Sequence, residues 1–418
     1  MKAVSLYTGV GGLDFGFEAA GFDTVVALDI DPVACRTIRL NLSWPVLEGD
    51  IDDISSEDIL ETAGLTPGEA DILIGGPPCQ PFSKSSYWVN GDSLRLDDPR
   101  ADTLTAYLRV LRDIQPKTFL LENVYGLAFK GKDEGLKKLI QGIEQVNKET
   151  GTNYHVSWKM LNAAHYGVPQ IRERVFLVGS RDGNVFSFPP ATHCSPEDIG
   201  LLNHAMEPYR VAWDAIGDLP DWPDEGSLEV GGKWADLLPT IPEGQNYLWH
   251  TNRGGGEPLF GWRSRYWSFL LKLAKNLPSW TIQAQPGSAI GPFHWTNRKL
   301  STQEMCRIQT FPDGLEFDCG RTDAQRLLGN AVPSLVTEVL GRAIRRQLLG
   351  DTTDLGPLKL LPPVRRPILA PEKIAPMPKK YDHLIGEHPD HPGEGKGWAA
   401  KRRQKASVGD TKSFFTAE

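Results

Sequence analysis

The chain has 418 residues, of which 40% are hydrophobic and 23% charged, and its formal net charge at pH 7 is −8. Such a length allows about two or three domains and a full core, and the composition is typical of globular proteins. The five cysteines lack any Cys-x-x-Cys spacing, which argues against a disulfide framework and against a zinc or other metal site. Without a signal peptide or an apolar run of membrane-spanning length, we expect a soluble, cytoplasmic protein. A nucleic-acid binder with this acidic balance would need a locally positive surface.

The first 183 residues alternate between patterns that favour strands and patterns that favour helices. A glycine-rich turn after the first strand leads into a helix predicted from Leu13 to Ala20, and Asp31 with Pro32 forms a helix-start signal. The predicted strands are 3–7, 24–28, 71–74, 118–121 and 174–179. This rhythm predicts an α/β fold, a Rossmann-like, doubly wound and mostly parallel sheet, in which ligands bind at the carboxyl ends of the strands.

The regular pattern ends near residue 184 and returns near residue 300. In between, prolines and glycines are frequent, and eight of the twelve tryptophans lie from Trp213 to Trp295. We therefore predict a smaller, irregular second domain, after which helices near 302–309 and 334–348 complete the first domain. A proline-rich and then basic stretch at the end predicts a flexible tail. The predicted segments are 1–183, 184–296, 297–350 and 351–418.

A cysteine follows the strand predicted at 71–74, within the stretch Gly75-Gly-Pro-Pro-Cys-Gln-Pro-Phe-Ser83. An isolated free cysteine is more often a small buried apolar residue. Here, however, three prolines surround Cys79, and a core strand does not carry them. Because prolines restrict the backbone, the thiol would be held still at a strand exit, as a nucleophile requires. Glu122 ends a neighbouring predicted strand, so the thiol and the acid together form a candidate active site.

The turn Tyr7-Thr-Gly-Val-Gly-Gly-Leu13 lies between a strand and a helix, where glycines let a ligand approach the backbone closely. The dinucleotide-binding fingerprint requires a third glycine at the position of Asp14, which argues against a nicotinamide enzyme. Asp29 ends the second predicted strand, where a carboxylate can accept hydrogen bonds from ribose, and Asp50 offers a further polar contact. Together these residues predict a cofactor that contains adenosine.

Six motifs follow one another in the order and spacing of a known family. They are Tyr7-Thr-Gly-Val-Gly-Gly12, Gly75-Gly-Pro-Pro-Cys-Gln-Pro-Phe-Ser83, Glu122-Asn-Val124, Gln170-Ile-Arg-Glu-Arg174, Arg298 to Glu304 with Arg307 to Pro312, and Gly329-Asn-Ala-Val-Pro333. The chain resembles the DNA cytosine-5 methyltransferases of bacterial type, which use S-adenosyl-L-methionine, and the resemblance spans residues 3 to 345.

The resemblance implies a role for each matching residue. Cys79 would add to carbon 6 of a cytosine that is flipped out of the duplex, and Glu122 would hold its ring nitrogen 3 and amino group. Arg172 and Arg174 match the family's basic pair, of which the first would bind the carbonyl oxygen of the base. The cofactor residues implied are Tyr7, Thr8, Gly9, Gly11, Gly12, Leu13, Asp29, Ile30, Asp50, Ile51, Pro77, Leu104, Asn330 and Val332. The substrate residues implied are Gln80, Ser83, Asn123 and Thr281.

The irregular domain stands where the family has its target-recognition domain. The basic residues there that could contact phosphates or guanines are Arg253, Arg263, Arg265 and Lys272. The implied partner is double-stranded DNA, bound by a monomer that belongs to a restriction-modification or phage-defence system. Two alternatives stay open: an RNA cytosine-5 methyltransferase of the tRNA type, and a catalytically silent DNA-binding regulator.

Overall fold

The computed structural model describes residues 1–78, 102–124, 134–199, 206–223, 225–226, 228–263 and 266–390. The chain divides into two compact units. Unit 1 comprises residues 1–226, 275–285 and 300–368, and unit 2 comprises 227–274, 286–299 and 369–418. Each unit is therefore assembled from segments that are far apart in the sequence.

The described strands and helices have the following bounds, in chain order: β1 (Lys2–Leu6), α1 (Gly12–Ala19), β2 (Asp23–Asp29), α2 (Pro32–Asn41), β3 (Val46–Glu48), α3 (Ser56–Ala63), β4 (Ile72–Gly75), α4 (Asp102–Ile114), β5 (Thr118–Val124), α5 (Glu134–Thr150), β6 (His155–Asn162), β7 (Gln170–Ile171), β8 (Glu173–Ser180), β9 (His193–Cys194), β10 (Glu207–Pro208), α6 (Ala212–Ile216), β11 (Ser279–Trp280), α7 (Thr302–Ile308), α8 (Arg321–Asn330) and α9 (Ser334–Leu348). Short 3₁₀ turns lie at Ala163–Tyr166, Ala235–Thr240, Tyr247–His250 and Lys379–Leu384. Over the residues that the structure describes, no helix is both long enough and apolar enough to cross a membrane.

Unit 1 is built on a seven-stranded sheet in the order β3-β2-β1-β4-β5-β8-β6. The neighbours from β3 to β5 all pair in parallel, and β8 runs antiparallel to both β5 and β6. The predicted Rossmann-like α/β sheet is thereby confirmed. Because the strands from β3 to β5 point the same way, the loops that follow them meet at one edge of the sheet.

The central strands are short apolar runs because both faces of the sheet are covered. Along β4, Leu73 faces one apolar cluster, whereas Ile72 and Ile74 face the other. Close helix packing helps to build the second cluster, since a Cβ on Gly16 of α1 would lie 1.9 Å from the Thr337 hydroxyl of α9. The last helix therefore returns to the beginning of the chain.

Unit 2 is held together by aromatic side chains rather than by a sheet. The ring of Trp234 lies 5.0 Å from that of Phe260 and stacks on Tyr381 at 5.8 Å. Leu237, Leu238 and other apolar side chains complete this core. The stacking partner Tyr381 comes almost 150 residues after Trp234, so the core depends on a distant segment.

Residues 351–390 belong to the stretch expected as a flexible tail, and they make defined contacts. Within unit 1, the fully buried Glu338 carboxylate accepts from the Lys359 and Leu360 N–H groups at 2.8 and 2.9 Å. Arg365 donates to the Asp214 carbonyl at 2.7 Å. Residues 369–390 form part of unit 2. Residues 391–418, with the basic end of the predicted tail, lie outside the described residues.

Candidate active site

Several of the predicted site residues that the structure describes lie at the carboxyl edge of the parallel strands. The glycine turn follows β1, Gly76 to Pro78 follow β4, Asp29 ends β2, and Glu122 lies near the end of β5. Cys79, Gln80 and Ser83 lie outside the described residues, so their predicted roles are considered below only as proposals.

The glycine turn is held tightly against the end of β2. Tyr7 adopts a left-handed φ of 54° and Gly11 one of 85°, which reverses the chain before α1 begins. The Thr8 N–H donates to the Leu28 carbonyl at 3.1 Å, and the Gly9 N–H donates to Oδ2 of Asp29 at 2.7 Å. These bonds fix the turn beside the Asp29 carboxylate.

The Asp29 side chain is largely buried but stands next to an exposed apolar one. Its second oxygen, Oδ1, accepts from the Asp31 N–H at 2.8 Å. Burial raises the pKa of Asp29, and the two backbone donors work against that rise. The neighbouring Ile30 side chain is 62% exposed. A carboxylate in this position can accept hydrogen bonds from sugar hydroxyls. The accessible apolar side chain beside it can cover an aromatic ring.

Contacts bring most of the other predicted cofactor residues to this turn. A Cβ on Gly12 would lie only 2.5 Å from the Val332 carbonyl oxygen, so the segment after Asn330 packs directly on the turn. The Tyr7 hydroxyl donates to the Thr103 carbonyl at 2.7 Å, which places α4 and Leu104 beside it. Burial raises the pKa of Tyr7, and the charges of Asp52 and Asp50 add to that rise.

Two hydrogen bonds hold the Pro-Pro loop that leads to Cys79. The Asn123 side chain donates to the Pro77 carbonyl at 3.2 Å, and the Thr103 hydroxyl donates to the Pro78 carbonyl at 3.1 Å. A Cβ on Gly76 would lie 3.0 Å from Oε2 of Glu122. The chain is thus fixed beside the Glu122 carboxylate up to the residue before the cysteine.

Glu122 is a buried acid with a cationic partner. Only 8% of the residue is exposed, and Oε1 lies 2.9 Å from Nε of Arg174. Burial raises the pKa of Glu122, whereas Arg174 and then Arg172 favour the ionised form. Burial and the arginines thus favour opposite protonation states. A carboxyl group between such influences can accept a hydrogen bond when it is ionised and donate one when it is protonated.

The two arginines of the predicted basic pair have different surroundings. The Arg172 guanidinium is 1% exposed and donates to the Gly329 carbonyl at 2.8 Å and to the Ile282 carbonyl at 3.4 Å. It thereby ties β7 and β8 to the end of α8, while Arg174 contacts Glu122. The expected contact of Arg172 with a substrate base does not follow from this arrangement, in which Arg174 is the arginine beside the acid.

The remaining predicted substrate residue, Thr281, follows β11, which pairs with β7. Its hydroxyl donates to the Ile171 carbonyl at 2.8 Å, and this bond fixes the segment next to the arginine pair. Of the basic residues predicted in unit 2, Arg265 lies outside the described residues, and Lys272 differs from expectation. Lys272 is 3% exposed and its Nζ donates to the Ile241 carbonyl at 2.5 Å, so it supports the fold and is not available to phosphates.

Two residues of the site were missed by sequence reasoning. Thr103 anchors both Tyr7 and Pro78, and no local pattern distinguishes it from other threonines at the start of a helix. Gln170 is fully buried, and its side-chain amide makes no hydrogen bond within the described part of the chain. Its place at the head of the Gln170-Ile-Arg-Glu-Arg174 motif was a signal that could have singled it out.

Comparison with known proteins identifies the family of the chain. The profile of the C-5 cytosine-specific DNA methylase family matches residues 1–346. The Type II methyltransferase M.SacI of Streptomyces achromogenes is 41% identical over an alignment of 372 positions, which covers 83% of this chain and 93% of that protein. The Type II methyltransferase M.NgoFVII of Neisseria gonorrhoeae is 34% identical over 82% of this chain and 86% of its own length.

The fold has solved counterparts as well. The crystal structure of the Dnmt2 methyltransferase of S. pombe has a TM-score of 0.54 at 19% identity, covering 84% of this chain and 99% of that one. The methyltransferase EhMeth of Entamoeba histolytica has a TM-score of 0.55 at 17% identity, covering 83% and 98%. With a family profile that spans most of its length, the chain belongs to the C-5 cytosine-specific DNA methylases and is a DNA cytosine-5 methyltransferase.

Proposed function

We propose that this enzyme transfers the methyl group of S-adenosyl-L-methionine to carbon 5 of a flipped-out cytosine within a short sequence of double-stranded DNA. It would act in the cytoplasm as the modification enzyme of a restriction-modification or phage-defence system, as the Type II methyltransferases similar to it suggest. The observation that carries the proposal is the buried Glu122–Arg174 pair beside the fixed loop that leads to Cys79.

The residues around the glycine turn fit this cofactor. When bound, the cofactor supplies an electrophilic methyl group on a sulfonium. Asp29 would accept from its ribose hydroxyls, and the exposed Ile30 side chain would cover its adenine. Gly12 approaches Val332 closely, and the rest of the molecule would lie against these two residues. Leu13, Asp50, Ile51, Pro77, Leu104 and Asn330 complete the proposed contacts.

Cys79 and Glu122 would activate the base together. Carbon 5 of cytosine is a weak nucleophile, so the Cys79 thiolate adds to carbon 6 and the electron pair moves toward ring nitrogen 3. Glu122 holds that nitrogen and the exocyclic amino group, and its raised pKa suits a group that shares a proton with the nitrogen. After carbon 5 takes the methyl group, loss of its proton expels the thiolate and restores the ring.

We assign the two arginines different roles in this reaction. Arg174 contacts Glu122 and would orient the carboxyl group while binding the carbonyl oxygen of the base. Arg172 would act as a positioning residue, because its guanidinium is engaged by the Gly329 and Ile282 carbonyls. Gln80, Ser83, Asn123 and Thr281 are the further residues that we propose near the target nucleotide.

Unit 2 would contribute sequence recognition. It includes residues 227–274 and 286–296 of the predicted target-recognition segment, 184–296, and none of the residues that we propose for the chemistry. The acidic net charge means that binding depends on local basic groups, so affinity for DNA should fall steeply with salt.

The decisive experiment is to map 5-methylcytosine across a plasmid that is expressed with this enzyme in a host without cytosine methylation. Methylated cytosines within one recurring motif would establish the substrate and its specificity. An unmethylated plasmid, with methylation of transfer RNA instead, would favour the RNA enzyme. If neither nucleic acid is methylated, a duplex with 5-fluorocytosine should be tested, since failure to trap a covalent complex would leave the silent regulator.

The same assay tests the nucleophile. We expect Cys79→Ala to abolish both methylation and trapping, while binding of the cofactor is retained because the glycine turn is unchanged. Turnover by this variant would overturn the covalent mechanism.

A further inference from the structure

An anion is bound at the surface of unit 2 by two groups that also suit a phosphate. The guanidinium of Arg253 lies over the indole of Trp262, 4.5 Å from the ring centroid, and its Nη2 donates to a carboxylate at 2.8 Å. The backbone N–H of Trp262 donates to the other oxygen of that carboxylate at 2.9 Å. A stacked arginine and a backbone N–H that converge on one anion form a common phosphate-binding arrangement.

The backbone that supplies the N–H group is held rigidly. The hydroxyl of Tyr247, a residue that is 2% exposed, donates to the Arg263 carbonyl at 2.9 Å and accepts from the Arg263 N–H at 2.8 Å. Arg263, the residue after Trp262, is therefore held through both its N–H and its carbonyl group. Such preorganisation means that little conformational entropy is lost when an anion binds.

The anion in this site is the carboxylate of Asp390, from the C-terminal segment. That segment lies along the loop over several residues: the Gly386 N–H donates to the Pro258 carbonyl at 3.1 Å. The Pro389 carbonyl oxygen stands where a Cβ on Gly261 would be, at 2.2 Å. The segment thus lies on a loop whose glycine leaves room for it, and the contact is more than an isolated surface ion pair.

The occupying segment is an addition to the shared part of the family. The family profile ends at residue 346, whereas Asp390 lies 44 residues beyond it. Asp390 and Arg253 are also accessible, with side chains that are 36% and 51% exposed, so the carboxylate can be displaced. Exposed ion pairs of this kind contribute little stability, and a phosphodiester can compete with one.

We propose that Arg253 and the Trp262 N–H form a binding site for a backbone phosphate of the DNA substrate, and that Asp390 occupies this site in the free enzyme. The inference rests on the proposed function, because it names a contact of the DNA that the enzyme methylates. DNA must displace the carboxylate to gain the contact, so the C-terminal segment lowers the affinity for DNA.

The test is fluorescence anisotropy with a labelled duplex at several salt concentrations, using the full chain. We expect Asp390→Asn to tighten binding by roughly twofold to fivefold, the range of an exposed ion pair. Arg253→Gln should weaken binding and reduce the slope of log affinity against log salt by about one phosphate contact. In the double variant, Asp390→Asn should have no further effect, since the site that it frees is gone.

The matched control is Glu387→Gln, which removes the same charge from an exposed position three residues earlier. Equal tightening by Glu387→Gln and Asp390→Asn would reduce the effect to net charge and overturn the proposal. The proposal is also overturned if Asp390→Asn binds DNA with unchanged or lower affinity, because the contact would then have only a structural role. Methylation mapping with the unaltered enzyme tests the proposed function separately, so the two can fail independently.

Discussion

Unit 1 and unit 2 of this enzyme position their functional residues by different physical means. In unit 1 the groups stand at the ends of parallel strands, and main-chain hydrogen bonds between strands set the spacing of Asp29, Gly76 and Glu122. In unit 2, Arg253 and Trp262 lie on a loop held by an aromatic core and by Tyr247. The residues that we propose for the chemistry therefore lie on a regular framework, whereas those that we propose for DNA binding lie where loops can vary without disturbing it.

The largest effect that this comparison predicts belongs to Glu122. Glu122→Gln preserves the shape of the side chain but removes its charge and its exchangeable proton, so we expect methylation to slow roughly 10²- to 10⁴-fold. Binding of DNA and cofactor should change little, as single-turnover rates and anisotropy would show. Glu144→Gln on the exposed face of α5 is the matched control. A near-normal rate for Glu122→Gln would remove the acid from the mechanism.

A change in the core of unit 2 should impair unit 2 and leave cofactor binding by unit 1 intact. Tyr381→Ala removes the ring stacked on Trp234, and we expect it to cost about 3–4 kcal/mol of the unfolding free energy of unit 2. Tyr381→Phe keeps the ring and loses only the hydrogen bond to the Lys233 carbonyl, at a cost of about 1 kcal/mol. The alanine variant should lose methylation of DNA yet still bind the cofactor by calorimetry. If DNA methylation and cofactor binding are both lost, the two units do not function independently.

An intermediate effect is expected at the glycine turn. In Gly12→Ala the new methyl group would stand 2.5 Å from the Val332 carbonyl oxygen, so the turn must shift. Overpacking of this kind costs about 1–3 kcal/mol, and we expect cofactor affinity to fall roughly fivefold to a hundredfold. Gly320→Ala is the control, since Gly320 has a φ of −69° and open space around it. Unchanged cofactor affinity in Gly12→Ala would show that the turn does not contact the cofactor.

A further effect concerns pH and the stability of unit 1. Burial raises the pKa of Asp14 to about 7, so the folded state binds a proton that the unfolded state releases near pH 4. The free energy of unfolding therefore loses an Asp14 contribution as pH rises from 4 to 7, by at most about 1.4 kcal/mol per pH unit. Asp14→Asn should lack this contribution, which urea denaturation at several pH values would reveal as a difference between the two proteins. Parallel pH profiles would place the Asp14 pKa near its ordinary value.

Local sequence patterns were enough to predict five of the seven strands of the sheet in unit 1, because these strands are determined by their own residues, whereas β3 and β6 were not predicted. The buried run Ile72-Leu-Ile74 predicts a strand, and a glycine turn before Leu13 predicts the change from strand to helix. Since parallel strands share one carboxyl edge, placing Asp29 and Glu122 at strand ends also brings them together. The main features of the candidate site followed from this rule and from the order of the six motifs.

What the sequence could not determine depends on contacts between residues far apart in the chain. The Arg172 guanidinium meets the Gly329 carbonyl 157 residues later, and only the tertiary fold brings the end of α8 to the residue between β7 and β8. The sequence indicates a surface cation at Lys272, whereas its Nζ donates to the Ile241 carbonyl. Likewise, the proline-rich stretch after residue 350 has the composition of a tail, but the buried Glu338 carboxylate and the aromatic core of unit 2 hold it in place.

The sequence by itself thus determined the family, the fold class with five of the seven strands of the sheet, and the identity of the residues proposed for the chemistry. The tertiary structure alone decided which arginine contacts Glu122, which lysine is buried and where the C-terminal segment lies. The physical reason is that strand and turn formation depends on neighbouring residues, whereas burial and hydrogen-bond partners depend on the whole folded chain.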